Sequence, residues 1–461
     1  MTWGGPVPPP VDHPQASIEL CAASTHIGPR YRMVIRRGLE SITTGDLPVP
    51  AFVAVGIDSS DTHHDIQAEA TGSATILRLR ISNDLAGFQK LFTALQESFG
   101  DLPRRYAVEN PALLLGRFLI HLGAAVYAVN PRAVVRMREA LAASGKKDDP
   151  LDAKALCLLM RERAEELAPV RRNSPEGELL AGLVKQRIGV VEDKNRLLNQ
   201  LTATLKAYYP RALELFSNLD QPLSLAFLLA FASPSELSNA TRASWDELFA
   251  GQRYPRPRKI DVLWAQSRAA QVPVSPTDEA LGVRQVRRVV RTLQLLLTEL
   301  AALDREIEAR FKELPDAETF RSLPGAAEVL APALFAVFGD NRERWNDWRE
   351  VACTSGTAPI TRQSGSFRAV TMRRHCDHRA RRTLHLFAGC SRKSCEWARN
   401  FYLEQRRRGK THGTALRNLA TKWLRILFRL WKDNSQYDEA KYLKRHAERQ
   451  APLIGVETGA P

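Results

Sequence analysis

Four carboxylates occupy positions where a fold could bring them together. Asp58 closes the apolar run "AFVAVGID" and Glu109 closes "RYAVEN", and both runs have the pattern of buried strands. Asp149 and Asp152 stand three residues apart at the start of a helical pattern, so they share one helical face. Converging carboxylates repel one another unless cations bind there, and Mg²⁺ prefers hard oxygen ligands. We therefore expect these four residues to bind two Mg²⁺ ions that act on a phosphoester.

Each of these carboxylates also has a simpler interpretation. Asp149 before Pro150 matches a helix N-cap with proline at the first helical position, and Asp152 suits the positive end of the helix dipole. Asp58 after "VGI" could open a phosphate loop of an actin-like ATPase, which would need a second glycine-rich loop that we do not find. The combination and order of the carboxylates favour the metal site.

The elements that must position these carboxylates lie within residues 51–168. Apolar and alternating runs there predict the order β-β-β-α-β-α-β-α, with a further helix that begins near Asp149. This order is typical of the ribonuclease-H-like nuclease fold, an α/β fold with a mixed sheet and helices on its faces. The first and fourth strands are central neighbours in that fold, so we expect Asp58 and Glu109 to meet.

A second group of reactive residues lies in "GTAPITRQSGS", where Ser364 and Ser366 flank a glycine. The triplet alone predicts only a turn, and a free serine hydroxyl is a weak nucleophile that needs a base or a metal ion. Ser355 and Ser366 are weaker nucleophile candidates than Ser364. The positive charge around Ser364 suggests that this region binds nucleic acid.

The basic charge of the chain is concentrated around this serine. Between Arg362 and Leu430 there are 18 Lys/Arg and 3 Asp/Glu, an excess that equals the net charge of +15 for the whole chain. Tryptophan and other aromatic residues within the block indicate that it folds. The block therefore favours a nucleic-acid-binding surface over the alternative of a solvated helical face.

Composition and length exclude several classes of protein. A chain of 461 residues predicts two to four domains, and its apolar runs are too short to span a bilayer. The N-terminus lacks the pattern of a secretion signal. Six cysteines without a CxxC pair favour a reducing cytoplasm. Zinc is disfavoured, because the spacing of the possible ligands is unusual; these are Cys376, His378, Cys390 and Cys395.

The patterns divide the chain into five predicted segments. Heptad-like apolar spacing around a Pro-rich stretch predicts a coiled-coil region, and an intramolecular helical hairpin is the open alternative. The segments are a flexible Pro-rich extension (1–50), the α/β domain (51–168), the coiled-coil region (169–315, with an inserted helical segment at about 211–278), a helix-rich C-terminal domain (316–435) and a flexible tail (436–461).

Taken in order, the motifs resemble those of the DEDD insertion-sequence transposases. The matching stretches are "GID", "VEN", "KDDPLDA", "LPGAAEVLA" and "GTAPITRQSGS", and the resemblance covers roughly residues 51–210 and 279–431. It implies a RuvC-like N-terminal domain and a C-terminal serine transposase domain that contains a helix-hairpin-helix-like element. It also implies catalytic roles for Asp58, Glu109, Asp149 and Asp152 as Mg²⁺ ligands, and for Ser364 as a nucleophile that forms a phosphoserine link to DNA.

The resemblance further implies what the chain binds. The expected partners are double-stranded DNA at the element ends and target, a noncoding guide RNA, and further copies of the chain in a dimer or tetramer, in the bacterial cytoplasm at the nucleoid and with no membrane. The residues expected to contact nucleic acid are Arg362, Arg368, Arg373, Arg374, Gly365 and, in the helix-hairpin-helix-like loop, Gly325.

The sequence departs from the family pattern at two places. Ala327 replaces the second glycine of a PGxG loop, and Cys376 with Asp377 replaces a Gly-Asn pair. Other functions also stay open: a RuvC-like nuclease or junction resolvase in which Ser364 is idle, or a non-catalytic nucleic-acid-binding protein. Whether the acidic site activates Ser364, within one subunit or between two, is likewise open.

Overall fold

A computed structural model of the chain describes residues 51–141, 149–365 and 367–450, apart from the side chains of 445–450. The described residues form two compact units that meet in sequence at Arg171 and Arg172. The predicted extension (1–50), the end of the predicted tail and Ser366 lie outside the described residues. Within the described part, no helix has the length and apolar character needed to cross a membrane.

The N-terminal unit is built on a five-stranded sheet in the order β3-β2-β1-β4-β5. β1 pairs antiparallel with β2 and parallel with β4, so the predicted neighbourhood of the first and fourth strands is confirmed. The elements are β1 (Val53–Ser59), β2 (His63–Ala70), β3 (Ile76–Ser82), α1 (Leu85–Phe99), β4 (Arg104–Val108), α2 (Leu114–His121), β5 (Ala125–Ala128), α3 (Pro131–Leu141) and α4 (Asp149–Arg163). The arrangement is compatible with a ribonuclease-H-like domain.

Local signals explain where most of these elements begin and end. Asp84 caps α1 by accepting a hydrogen bond from the backbone N–H of Gly87 at 2.7 Å, and Gly100 ends the helix with a φ of 59°. α2 begins at Leu114, and Pro111 lies in the turn before it. The Asn110 side chain accepts from the N–H of Ala112 in this turn.

The two faces of β1 belong to different cores. Val53, Val55 and Ile57 pack with α1 and α2 on one face, whereas Ala54 faces α4 on the other. Gly56 lies on the α4 face, where a Cβ would stand 2.2 Å from the carbonyl oxygen of Ala153. The missing side chain therefore lets the backbone of α4 approach the strand closely.

The C-terminal unit begins with a long helical hairpin, formed by α5 (Pro175–Tyr208) and α11 (Pro276–Glu313). Arg187 forms an ion pair with Asp304, and the Gln285 side chain donates to Thr204 Oγ1 at 2.9 Å, so the two helices run antiparallel. The two heptad-like helices therefore pack against each other within one chain, as the intramolecular hairpin that the sequence left open beside a coiled coil.

The segment inserted between these two helices is itself helical. Its elements are α6 (Pro210–Leu215), α7 (Pro222–Ala230), α8 (Pro234–Ser238), α9 (Arg242–Gly251) and α10 (Pro257–Ser267). They enclose an aromatic core in which Phe227 meets Trp245 edge to face, with the ring centroids 6.1 Å apart.

The rest of the unit contains a small hairpin among helices. Its elements are α12 (Ala317–Arg321), α13 (Ala327–Phe338), α14 (Trp348–Thr354), β6 (Ile360–Ser364), β7 (Phe367–Thr371), α15 (His378–Ser394), α16 (Glu396–Arg407), α17 (His412–Asp433) and α18 (Glu439–Gln450). The β6–β7 hairpin was not predicted from the sequence, which indicated only a turn. Its residues are exposed on both faces, so they lack the alternation that identifies a half-buried strand.

The predicted flexible tail from residue 436 is wrong over its described part. The indole N–H of Trp397 donates to the Tyr437 hydroxyl at 2.7 Å, and the rings of Trp397 and Tyr442 lie 4.8 Å apart. These contacts attach α18 to the core of the unit. The aromatic residues were a signal of packing that the polar composition of the tail obscured.

Ala327 is strained, and replacing it should stabilise the protein. It has a φ of 45° at an exposed position where the resembled family has glycine. Because a Cβ in this left-handed region costs about 1 kcal/mol or more, we expect Ala327→Gly to raise the free energy of unfolding by about 1 kcal/mol. Ala302→Gly, at an exposed position inside α11, is the matched control and should lower it by about the same amount. Denaturant unfolding that shows a loss for Ala327→Gly would contradict this account.

Candidate metal centre and nucleic-acid interface

The four predicted carboxylates share one electrostatic neighbourhood. Asp58 is half-buried near the end of β1, and Glu109 follows Val108, which pairs with Ile57 in the parallel register. Burial, which is the largest cause, and the negative charges of Asp152, Asp149 and Glu109 together raise the pKa of Asp58 to about 6. The structure therefore brings these groups together, while their binding of a metal stays a prediction.

The environments of the four carboxylates differ. Asp152 is 7% exposed and accepts two hydrogen bonds from the Nη1 of Arg138 on α3, at 2.8 and 2.9 Å. Asp149 and Glu109 are exposed. Among the described residues no cationic side chain pairs with Asp58. Asp58 is therefore the carboxylate whose charge is least compensated.

A fifth carboxylate, Asp65 on β2, was missed by sequence reasoning. It stands directly opposite Asp58 in the β1–β2 register and is 6% exposed. Arg80 binds it through two hydrogen bonds of 2.9 and 2.7 Å. Ligand atoms of His63, Asp65 and Asp149 all lie within 4.8 Å of one another. The signal for this group was the spacing His-x-Asp in "HHDIQAEA", with the acid on the inward face of a strand.

Further polar side chains follow Asp65 along β2, on the face of the sheet that α4 covers. Gln67 donates to Glu69 at 2.6 Å, and Glu69 forms an ion pair with Arg161 of α4. Arg78 donates to the side-chain oxygen of Gln67 at 3.2 Å. These buried groups are satisfied by one another, so they fix α4 in register on the sheet.

The donor set fits a divalent cation. Several carboxylates supply the hard oxygen ligands that Mg²⁺ takes. The pKa of Asp58 is raised first by burial and then by the neighbouring carboxylates, and a bound cation would offset both effects on its charged form. Arginines compensate the outer carboxylates Asp65 and Asp152 and leave Asp58 open to such an ion. The residues that would hold it are Asp58 with Glu109, Asp149 and Asp152.

Ser364 lies at the tip of the β6–β7 hairpin, exposed to solvent. It pairs with Phe367 across the hairpin, and Gly365 begins the turn with a φ of 54°. Arg362 lies on the same face as Ser364, whereas Arg368 lies on the opposite face, since side chains alternate along a strand. Within the described residues the Ser364 hydroxyl has no hydrogen-bond partner, so no activating base is in place there.

The other residues predicted to contact nucleic acid differ in their exposure and in their packing. Arg374 is exposed, but Arg373 is half-buried with its Nη2 3.6 Å from the Cys353 sulfur. A Cβ on Gly325 would lie 3.0 Å from the backbone of Cys390, so this glycine has a packing role on α15. Ser355, a weaker nucleophile candidate, is fully buried and cannot meet DNA without rearrangement.

Gly56 should be intolerant of even one methyl group. An added Cβ would meet backbone atoms of α4 on both sides, Ala153 O at 2.2 Å and Cys157 N at 2.3 Å, so the helix must move. We expect Gly56→Ala to lower the free energy of unfolding by about 1–3 kcal/mol and to weaken metal binding. Gly189→Ala, inside α5 with open space around it, is the control and should raise the free energy of unfolding by up to about 1 kcal/mol. Equal melting temperatures for the two variants would contradict the close packing.

Comparisons with known proteins agree with this arrangement. A model of the DEDD transposase domain of the IS110 type matches residues 55–210, and one described as "Transposase IS116/IS110/IS902 family" matches residues 317–403. The "Mini-circle putative transposase for IS117" of Streptomyces coelicolor is 28% identical over 84% of this chain and 96% of its own length. An uncharacterized 42 kDa protein of the insertion element IS900 from Mycobacterium paratuberculosis is 25% identical over 84% of this chain and 98% of its own.

A third relative matches over a similar share of both chains. The uncharacterized 44.8 kDa protein of IS116 from Streptomyces clavuligerus is 26% identical, over 84% of this chain and 96% of its own length. The two family matches cover the carboxylate site and the serine hairpin separately and in the same order. The chain therefore belongs to the IS110 family of DEDD insertion-sequence transposases, which are DNA transposase/recombinase enzymes.

Proposed function

We propose that this transposase cuts and rejoins DNA with a Mg²⁺ site formed by Asp58, Glu109, Asp149 and Asp152, and with Ser364 as its nucleophile. The observation that carries the metal site is the shared electrostatic neighbourhood of the four carboxylates, centred on the raised pKa of Asp58. Bound Mg²⁺ ions polarise a phosphoryl oxygen and stabilise the charge on attacking and leaving oxygens.

The surrounding residues hold the carboxylates in place for this task. Arg138 fixes the orientation of Asp152 by binding both of its oxygens. Arg80 does the same for Asp65 beside Asp58, and Arg161 links α4 to Glu69 on the sheet. Each arginine reduces repulsion at the margin of the site while Asp58 keeps its negative charge for the metal.

Ser364 is exposed where a DNA strand can reach it, and Arg362 on the same face can hold a neighbouring phosphate. The serine oxygen attacks phosphorus, the phosphorus bond to the leaving deoxyribose oxygen breaks, and the serine proton is released to solvent water. The leaving oxygen takes up a proton and becomes a free hydroxyl. Attack of such a hydroxyl from a second strand on the phosphoserine reverses these changes and rejoins the DNA.

The proposed partners follow from the basic surface and the family. Residues 362–430 carry 18 Lys/Arg and 3 Asp/Glu, mostly on α15, α16 and α17, and suit a polyphosphate partner. We propose double-stranded DNA as substrate, a noncoding RNA as guide, a dimer or tetramer of this chain as the active assembly, and the nucleoid as the place of action.

Asp58→Asn should separate catalysis from stability. Because the pKa of Asp58 rises from 3.8 to about 6 on folding, its charge disfavours the folded state at neutral pH, and this cost disappears as the pH falls below the ordinary value. We expect the variant to melt at a higher temperature than the wild type in EDTA at neutral pH. Its DNA cleavage should fall by about a hundredfold or more, since the loss of outer-shell partners alone costs about 10–100-fold.

Asp61→Asn is the matched control, because Asp61 is exposed in the loop between β1 and β2. It should change neither the melting temperature nor cleavage. Full cleavage by Asp58→Asn would overturn the metal site, and a lower melting temperature in EDTA would contradict the repulsion.

Ser364→Ala should abolish the covalent protein–DNA adduct that is seen on denaturing gels. The side chain is exposed, so the melting temperature should stay unchanged. Gln363→Ala, the adjacent exposed position on the other face of β6, is the control and should retain the adduct. Undiminished cleavage by Ser364→Ala would favour the alternative function, a metal-dependent nuclease or junction resolvase in which this serine is idle.

A further inference from the structure

An open groove of about 530 Å³ lies along α15 and the start of α17, apart from the serine hairpin. The charged residues that line it are all basic, and no carboxylate lines it among the described residues. Its cations are Arg381, Arg382, Arg392 and Lys393, and three histidines accompany them. Arg382 also forms a half-exposed ion pair of 3.3 Å with Glu192 of α5. A groove of this composition attracts anions along its whole length.

The floor of the groove is a stripe of α15 positions with helical spacing. His378, Arg382, His385, Gly389 and Lys393 recur every three or four residues, so they lie on one face of the helix. A Cβ built on Gly389 would meet no atom within 4 Å. Glycine is an unfavourable residue inside a helix, and here its effect is to keep the middle of the groove open.

His385 points to a hydrogen-bonding ligand rather than to a charge alone. Its Nε2 atom is buried without a partner among the described residues. Burial lowers the pKa of His385, and the charges of Arg381 and Arg417 lower it further, so the imidazole is neutral at neutral pH. A buried polar nitrogen without a partner costs free energy that a ligand with a matching group would recover.

His412 lines the groove from α17 and is held in place by Tyr402, which is buried. The hydroxyl of Tyr402 and Nδ1 of His412 lie 2.7 Å apart in a hydrogen bond, and the guanidinium of Arg392 lies 4.6 Å from the centre of the Tyr402 ring. Leu386, which is 50% exposed, and Leu416 add apolar surface. The groove thus offers cations for a phosphate, with apolar and imidazole surface for a flat ring.

We propose that this groove binds an unpaired nucleotide of a nucleic-acid strand, with the phosphate at Arg382 and the base against His385 and Leu386, one helical turn away. The volume suits a small ligand, whereas a double helix is too wide to enter. Bases without a pairing partner can be splayed out and stacked on side chains. The proposal rests on the proposed action on nucleic acid, but it requires neither the metal site nor Ser364.

Gly389→Phe provides a direct test, because it fills the groove and keeps every charge. The full-length protein in EDTA is titrated into a labelled DNA duplex with a three-nucleotide bulge and into the fully paired duplex, and fluorescence anisotropy gives both affinities. The same pair is made in RNA. We expect Gly389→Phe to weaken binding of the bulged substrate by about tenfold and to leave the paired duplex unchanged. Gly182→Phe, at an exposed open position of α5, is the matched control and should have no effect.

The two nucleic acids distinguish the source of the nucleotide. A larger loss on bulged DNA assigns it to the substrate, and a larger loss on bulged RNA assigns it to a guide; either supports the proposal. An unchanged affinity for both bulges, or an equal loss on the paired duplexes, overturns it.

His385→Leu tests the same groove without adding a bulky side chain. It should also lower the affinity for the bulged duplex and leave the affinity for the paired duplex unchanged. If Gly389→Phe fails to fold, the His385→Leu result decides the question. Because these affinities are measured in EDTA and without turnover, a failure of the proposed catalysis is distinguishable from a failure of this groove.

Discussion

The contact between Gly56 and the backbone of α4 is the constraint on which the N-terminal site depends. Where β1 lacks a side chain, the helix lies against the strand, with Ala153 and Cys157 at distances that no Cβ would allow. The first turn of α4, which carries Asp149 and Asp152, is thereby held near the end of β1. Cys157 strengthens the same contact by donating to the carbonyl of Ala54 at 3.2 Å.

The close approach has an electrostatic consequence. Asp58 meets the charges of four other carboxylates, because the strand ends and the helix start converge on one face of the sheet. The chain offsets this repulsion unevenly: Arg138 and Arg80 pair with Asp152 and Asp65, while Asp58 has no cationic partner among the described residues. Repulsion between these carboxylates costs free energy when no cation is bound, and a divalent ion bound among them would remove that cost. The same repulsion therefore destabilises the metal-free protein and favours metal binding.

Much of the N-terminal unit was predictable, since its central strands β1 and β4 are largely buried and have clear apolar runs. Asp58 and Glu109 could be placed side by side because strand order alone makes β1 and β4 neighbours. Asp65 was missed because its position depends on the register between β1 and β2, which is set by pairing and not by the pattern within one strand. The ion pair between Arg138 and Asp152 was likewise invisible, since it joins two helices through tertiary packing.

In the C-terminal unit the candidate residues were predictable, but the structure that presents them was not. The basic charge and the position of Ser364 were evident from the residues, but the hairpin that presents this serine was not, because its strands are exposed on both faces. The groove along α15 was equally hidden, since its histidines and arginines are dispersed in the sequence and gain meaning only from helical spacing and from α17 opposite them. Exposed functional surfaces leave a weaker trace in hydrophobic patterning than buried ones do.

The most direct test of the central claim is a crystal structure of the protein with Mn²⁺, in which anomalous scattering locates the ion. The account predicts a peak within coordination distance of the Asp58 carboxylate and of at least one oxygen from Glu109, Asp149 or Asp152. A peak held by His63, Asp65 and Asp149 without Asp58, or no peak in this part of the sheet, would contradict it.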